Sequence, residues 1–204
     1  MNAGRASRTH PFLLAALIVV FVWSAAGPHD YFTWFLEVFP VVIAVPILLV
    51  AYPRFRFTIL AYMLILVHAV ILMVGGHYTY AEMPLFNWIR DEFHLSRNHY
   101  DRLGHFAQGF VPAIIARELL LRKSPLGRGG WLTFIVLSIS MAISACYELI
   151  EWGVAEATGT AATAFLGTQG DVWDTQWDMF MCLVGATTAL ALLSRAHDRQ
   201  LKAV

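Results

Sequence analysis

Six long stretches of the chain are mostly apolar, and polar residues gather in the shorter segments between them. The stretches cover roughly 11–26, 35–51, 57–75, 103–121, 131–152 and 177–194. A helix needs about 20 predominantly apolar residues to cross a bilayer. The first two stretches are short or carry proline, and the fourth holds His105, Gln108, Pro112 and Glu118, so hydropathy alone rates it weakly. The pattern predicts an all-α polytopic membrane helical bundle, one domain over residues 1–204 with about six transmembrane helices. The first stretch has a rival reading. Arg5 and Arg8, a short apolar run and the sequence SAAG at 24–27 are also the pattern of a signal peptide with its cleavage site.

Composition agrees with a membrane protein. Of the 204 residues, 58% are hydrophobic and 14% charged, and mean hydropathy is +0.61; a soluble domain carries about 25% charged residues. Cys146 and Cys182 both fall in apolar stretches and read as core thiols, not as a disulfide framework. There is no internal repeat, and no basic patch interleaved with aromatics that would suit nucleic acid.

Net charge is zero, but the charges are polarised. Arg5, Arg8, Arg54, Arg56, Arg117, Arg122, Lys123, Arg128, Arg195, Arg199 and Lys202 flank one set of span ends, and only Arg90, Arg97 and Arg102 flank the other. Basic residues mark cytoplasmic ends, so both termini are expected in the cytoplasm. Among the acids only Glu118 and Asp198 lie on that side.

The acid-rich ends carry the candidate chemistry. Asp101, His105 and Gln108 recur at helical spacing and share a face. Glu148 and Glu151 are three apart near the end of the fifth span. Asp171, Asp174 and Asp178 precede the sixth and make one acidic stripe if its helix starts near Asp171. Antiparallel spans four, five and six bring these groups to similar depth. An ionised side chain facing lipid costs roughly 2.5–3.5 kcal/mol, so such groups turn to the bundle interior. Several carboxylates together need protons, cationic partners or a metal, and nearby arginines are few.

Plain structural roles compete with this at each position. Asp171 and Asp174 can cap a helix or complement its dipole. Glu148 and Glu151 can bond Arg102 or Trp152, and His105 can be a satisfied histidine within the membrane. Tyr100, Trp152, Trp173 and Trp177 read as an interfacial aromatic belt.

The blocks YDRLGHFAQGFVPAIIARELLLR, CYELIEW and LGTQGDVWDTQWDM resemble the YjdF-like family of uncharacterised bacterial inner-membrane proteins, a domain of unknown function. The resemblance is clear over 100–185 and implies a multi-span inner-membrane protein without an established activity. Asp101, His105, Glu148, Glu151, Asp171, Asp174 and Asp178 match its polar motif. A fainter similarity to VanZ-like membrane proteins rests on Asp101, Arg102, His105 and Phe106; Glu151 and Asp178 stand where amides are expected there.

Three functions compete. The first is a metal-dependent hydrolase or transferase acting, on the periplasmic side, on membrane lipids or lipid-linked headgroups. Its divalent metal (Zn²⁺, Mn²⁺, Mg²⁺ or Ca²⁺) would be held by His105, Glu148, Asp174 and Asp178, with Asp171 beside them. Asp101 would orient His105 or act as base, and Glu151 would be a second base or ligand. The second is a proton- or cation-coupled transporter, whose polar path should continue towards Glu118. The third is a non-catalytic structural protein, whose carboxylates should be paired to arginines and closed to solvent.

Overall fold

The structure, a computed structural model, describes residues 3–159 and 163–203. Among these residues there are eight helices and no strand: α1 (Ala3–Ala25), α2 (Tyr31–Ala51), α3 (Ile59–Tyr78), α4 (Pro84–Glu92), α5 (Tyr100–Lys123), α6 (Gly130–Thr158), α7 (Thr163–Leu166) and α8 (Asp174–Leu201). A single 3₁₀ turn, Tyr80–Glu82, lies between α3 and α4. By length and composition α2, α3, α6 and α8 can cross a membrane, and the apolar part of α1 runs over Thr9–Ala25. The remaining long helix, α5, is the polar one, and its buried positions include Asp101, Arg102, His105, Gln108, Arg117 and Glu118. Its polar groups turn inward to partners, and it is not among the helices apolar enough to be recognised as spans. The chain is thus an all-α polytopic membrane protein.

Helix starts follow local chemistry. Asp30 caps α2 by accepting from the Thr33 N–H at 2.7 Å, and that hydrogen bond holds its carboxyl below the usual range. Thr58 caps α3 through its hydroxyl. The start of α8 differs from the expectation. Gly167, Gln169 and Gly170 have positive φ, so the chain is still turning there and the helix begins only at Asp174. Asp171 lies in the preceding turn, where its Oδ1 accepts from the Trp173 N–H at 2.9 Å. It is therefore not the first member of a helical stripe. The connection between α3 and α5 contains α4.

The long helices form two groups of three. In one, α1 and α2 pack against α3, with Val38, Val41, Ala69 and Met73 as the buried core and Leu17, Val20 and Phe21 of α1 against them. The stretch that also resembles a signal peptide thus packs as a bundle helix. In the other, α5, α6 and α8 pack on one another around Ala113, Ile114, Leu132, Val136, Ala186 and Ala189. Contacts of α3 with α5 join the groups.

The closest pairing is α5 with α8, and two glycines explain it. A Cβ at Gly109 would come within 1.8 Å of the Cys182 carbonyl oxygen, and one at Gly185 within 2.0 Å of that of Phe106. Small residues let membrane helices approach backbone to backbone. Counting one turn from each contact towards the acid-rich end, His105 on α5 comes beside Asp178 on α8. Cys182 is buried at this crossing, whereas Cys146 is exposed and is no core thiol. Trp152, Trp173 and Trp177 are exposed as a belt requires, but Tyr100 is buried and its hydroxyl donates to the Ile71 carbonyl at 2.8 Å.

Candidate functional site

The glycine crossing and the loops beside it gather the predicted acids into one buried cluster with two unlike halves. Towards the loops, Arg97 and Arg102 bind the aspartates. Arg97 donates to Asp174 Oδ1, lies 3.5 Å from Asp171 Oδ2 and reaches the Gly167 carbonyl at 2.9 Å. Arg102 donates to Asp174 Oδ1 at 2.7 Å, to Asp171 Oδ2 at 3.2 Å and to Asp178 Oδ1. Both arginines are buried. A charge removed from water needs its partners close, and here two guanidiniums share four carboxylates, since Asp101 Oδ2 also lies 3.6 Å from Arg97 and 4.0 Å from Arg102. Arg90 instead pairs with Asp91, away from the cluster.

Asn98 and Gln169 hold this half in place. The Asn98 backbone N–H donates to Gln169 Oε1 at 2.9 Å, and Gln169 Nε2 donates to the Asn98 carbonyl at 2.9 Å. The Asn98 amide donates to the Met83 carbonyl at 3.1 Å and to Asn87 Oδ1 at 2.8 Å, and its Oδ1 accepts from the Tyr100 N–H at 3.0 Å. One buried amide thus ties the 167–173 loop to α4 and to the start of α5. His99 beside it is held below its ordinary pKa by burial and by the nearby charges of Arg97 and Arg102.

The second half centres on His105. Its Nε2 lies 3.5 Å from Asp101 Oδ1 and 3.8 Å from Asp178 Oδ1. Its Nδ1 lies 3.3 Å from Gln108 Oε1 and 3.8 Å from Glu148 Oε1. An Nε2–H would donate towards Asp101, whereas the tautomer with its proton on Nδ1, bonded to Gln108, would leave the Nε2 lone pair for a metal. Asp101, His105 and Asp178 each offer a ligand atom within 4.8 Å of the others, and all three residues are buried. Glu148 Oε1 is buried without a hydrogen-bond partner. Glu151 is buried nearby. Among the described residues no lysine or arginine pairs with Glu148 or Glu151, so the expectation that they bond Arg102 is not met.

Two further residues join this half that the sequence reading did not single out. Glu37 of α2 is 3% exposed and lines the same cavity as Asp101, His105 and Glu151. Tyr80 lines it too, 5% exposed, with its buried hydroxyl beside the Glu37 carboxyl. Tyr80 fits because Gly75 and Gly104 leave room: a Cβ at Gly75 would stand 1.9 Å from the ring. The signal for Glu37 was a lone acid inside an otherwise apolar span, which lipid does not tolerate. The cluster therefore counts seven carboxyl groups against two guanidiniums and one imidazole. A cavity of about 640 Å³ opens from its second half along the bundle.

The opposite end of the bundle holds a separate closed network. Glu118, fully buried, accepts from the Thr58 N–H at 2.9 Å, the Thr58 hydroxyl at 2.8 Å and Arg122 at 2.7 Å. Arg117 donates to His197 Nδ1 at 2.9 Å, which leaves His197 Nε2 to donate to Glu118 Oε2 at 2.9 Å. Glu118 does not line the cavity. His68, within the cavity wall, has no partner for Nε2.

A bundle of this kind, with an acid and histidine cluster buried at one end, belongs to the polytopic α-helical membrane proteins. Residues 9–199 match the family described as Predicted membrane protein (DUF2238), and the chain is a member of that family. It is 50% identical over 186 residues to the inner membrane protein YjdF of Escherichia coli strain K12, covering 91% of this chain and 89% of the relative. No solved structure matches it.

Proposed function

We propose that this chain is an inner-membrane enzyme that hydrolyses or transfers the headgroup of a lipid or lipid-linked molecule, using a divalent metal held at the periplasmic end of the bundle. The observation that carries the reading is the convergence of Asp101, His105 and Asp178 within 4.8 Å, buried beside an apolar cavity. One imidazole nitrogen with carboxylate oxygens suits Zn²⁺ or Mn²⁺, and the oxygen-rich surroundings also admit Mg²⁺ or Ca²⁺. Glu148, whose Oε1 faces the Nδ1 side of His105 at 3.8 Å, stands outside this ligand set in the proposal. Asp171 and Asp174, expected among the ligands, serve in this proposal to fix Arg97 and Arg102.

A cation bound there would polarise a phosphoryl or carbonyl oxygen or lower the pKa of a bound water. Gln108 holds the His105 ring by its Nδ1. Glu151, lining the cavity with no cationic partner among the described residues, accepts a proton from the attacking group. The Tyr80 hydroxyl donates to the substrate. The cavity lining favours this reading over a proton relay: between the cluster and the other end its walls are apolar apart from Gln108, His68 and the terminal Lys123.

The test is metal analysis of detergent-purified protein after supplementation with Zn²⁺, Mn²⁺, Mg²⁺ and Ca²⁺. The expected result is about one equivalent in wild type, lost in His105→Ala and Asp178→Asn but kept in Asp171→Asn. A metal-free wild type under all four conditions would overturn the reading.

A further inference from the structure

The cavity has a shape that the site chemistry does not require. On α5 its wall runs through Gly104, Gln108, Val111, Ile115, Leu119 and Lys123; on α2 it runs through Glu37, Val41, Ala44, Leu48 and Ala51. Both series step by three or four residues, so each helix presents one unbroken stripe. The α5 stripe, from Asp101 to Lys123, is about 33 Å long at 1.5 Å per residue. The hydrocarbon core is about 30 Å thick, so one leaflet offers about 15 Å. A stripe of that length, on a helix standing along the bilayer normal, reaches beyond one leaflet. It exists because α2 is held chiefly by α3, which forms the floor with Ile65, His68, Ala69 and Leu72. Its rim residues Ile47, Leu119 and Ile143 are exposed, so it opens sideways to lipid.

We propose that this cleft binds the hydrocarbon tail of a lipid whose single chain is longer than one leaflet, a polyisoprenyl phosphate, with its phosphate at the Asp101–His105–Asp178 end. Three observations choose this occupant. A diacyl phospholipid reaches only to mid-bilayer and would leave the Leu119–Lys123 half of the cleft unfilled. The cleft is continuous with the polar cluster, where the Tyr80 hydroxyl, 5% exposed, lines the wall beside Glu37 and is a hydrogen-bond donor within reach of a phosphate placed there. The apolar walls carry no acid between Glu37 and Glu151 at one end and Lys123 at the other, which suits a chain with its polar group at one terminus. The placement of the phosphate rests on the metal reading above; the binding of the tail does not.

The experiment measures binding of three probes to the intact protein in detergent by native mass spectrometry: a long-chain polyisoprenyl phosphate, farnesyl phosphate and a diacyl phosphatidylglycerol. Each buried methylene contributes about 0.8 kcal/mol, so the long chain should bind more than about tenfold tighter than the farnesyl probe. Ala44→Phe and Ile115→Trp, which fill the cleft far from the cluster, should reduce long-chain binding about tenfold or more while leaving metal content unchanged. The comparison of chain lengths on wild type needs no variant, so a misfolded substitution does not decide the matter. Equal affinity for long and short chains overturns the proposal, as does equal or tighter binding of phosphatidylglycerol. A metal-free wild type that still selects the long chain would overturn the metal reading alone.

Discussion

Arg102 is the residue on which the loop-side half of the cluster turns. It reaches Asp171, Asp174 and Asp178 from α5, and it is buried like Asp174 and Asp178, while Asp171 is partly exposed. Removing one partner from a buried ionic network leaves uncompensated charge and costs about 3–5 kcal/mol. Arg102→Gln should therefore lower thermal stability in detergent by that order, and Asp178→Asn added to it should recover part of the loss. An additive double variant would mean that the pair is not coupled. At the other end, Glu118→Ala removes the acceptor for Thr58, Arg122 and His197. Stranding those donors should cost on the order of 3 kcal/mol, read as a lowered unfolding midpoint. The acids of both ends are visible in the chain; their partners are not, since Arg97 and Arg102 lie some seventy residues from the aspartates they bind.

At the scale of elements, the α5–α8 crossing sets the geometry of the site. Gly109 and Gly185 bring backbones into contact, and a methyl at either position meets a carbonyl oxygen at about half the normal separation. Gly109→Ala and Gly185→Ala should each destabilise by about 1–3 kcal/mol through overpacking. Both should also weaken metal binding, because moving α8 away moves Asp178 from His105. The two effects should be non-additive, since they act on one interface; unchanged metal content in both variants would break the link between crossing and site. The apolar stripes that made α2, α3, α6 and α8 recognisable say nothing of which helices approach this closely. The start of α8 shows the same limit: spacing allowed a helix from Asp171, and the positive-φ turn at Gly167–Gly170 delayed it.

For the whole molecule, the proposal places the acid-rich end at the periplasm, on the ground of the polarised charges. Asp91→Cys, in α4 on that end, should react with a membrane-impermeant maleimide in intact cells, and Arg128→Cys should react only after lysis; in both cases Cys146→Ala serves as background. The reverse pattern would invert the orientation and place the candidate site in the cytoplasm. Apolar length, inward-turning acids and basic residues at alternate ends together specified an all-α membrane bundle and the shared depth of Asp101, His105, Glu148, Glu151, Asp174 and Asp178, because membrane insertion depends on local hydropathy and charge. Packing alone decided how those groups divide. Two arginines pair with Asp101, Asp171, Asp174 and Asp178, while Asp101, His105, Glu151, Glu37 and Tyr80 line one end of the cavity. Such pairings depend on where separate helices cross, and hydropathy along one chain carries no record of that.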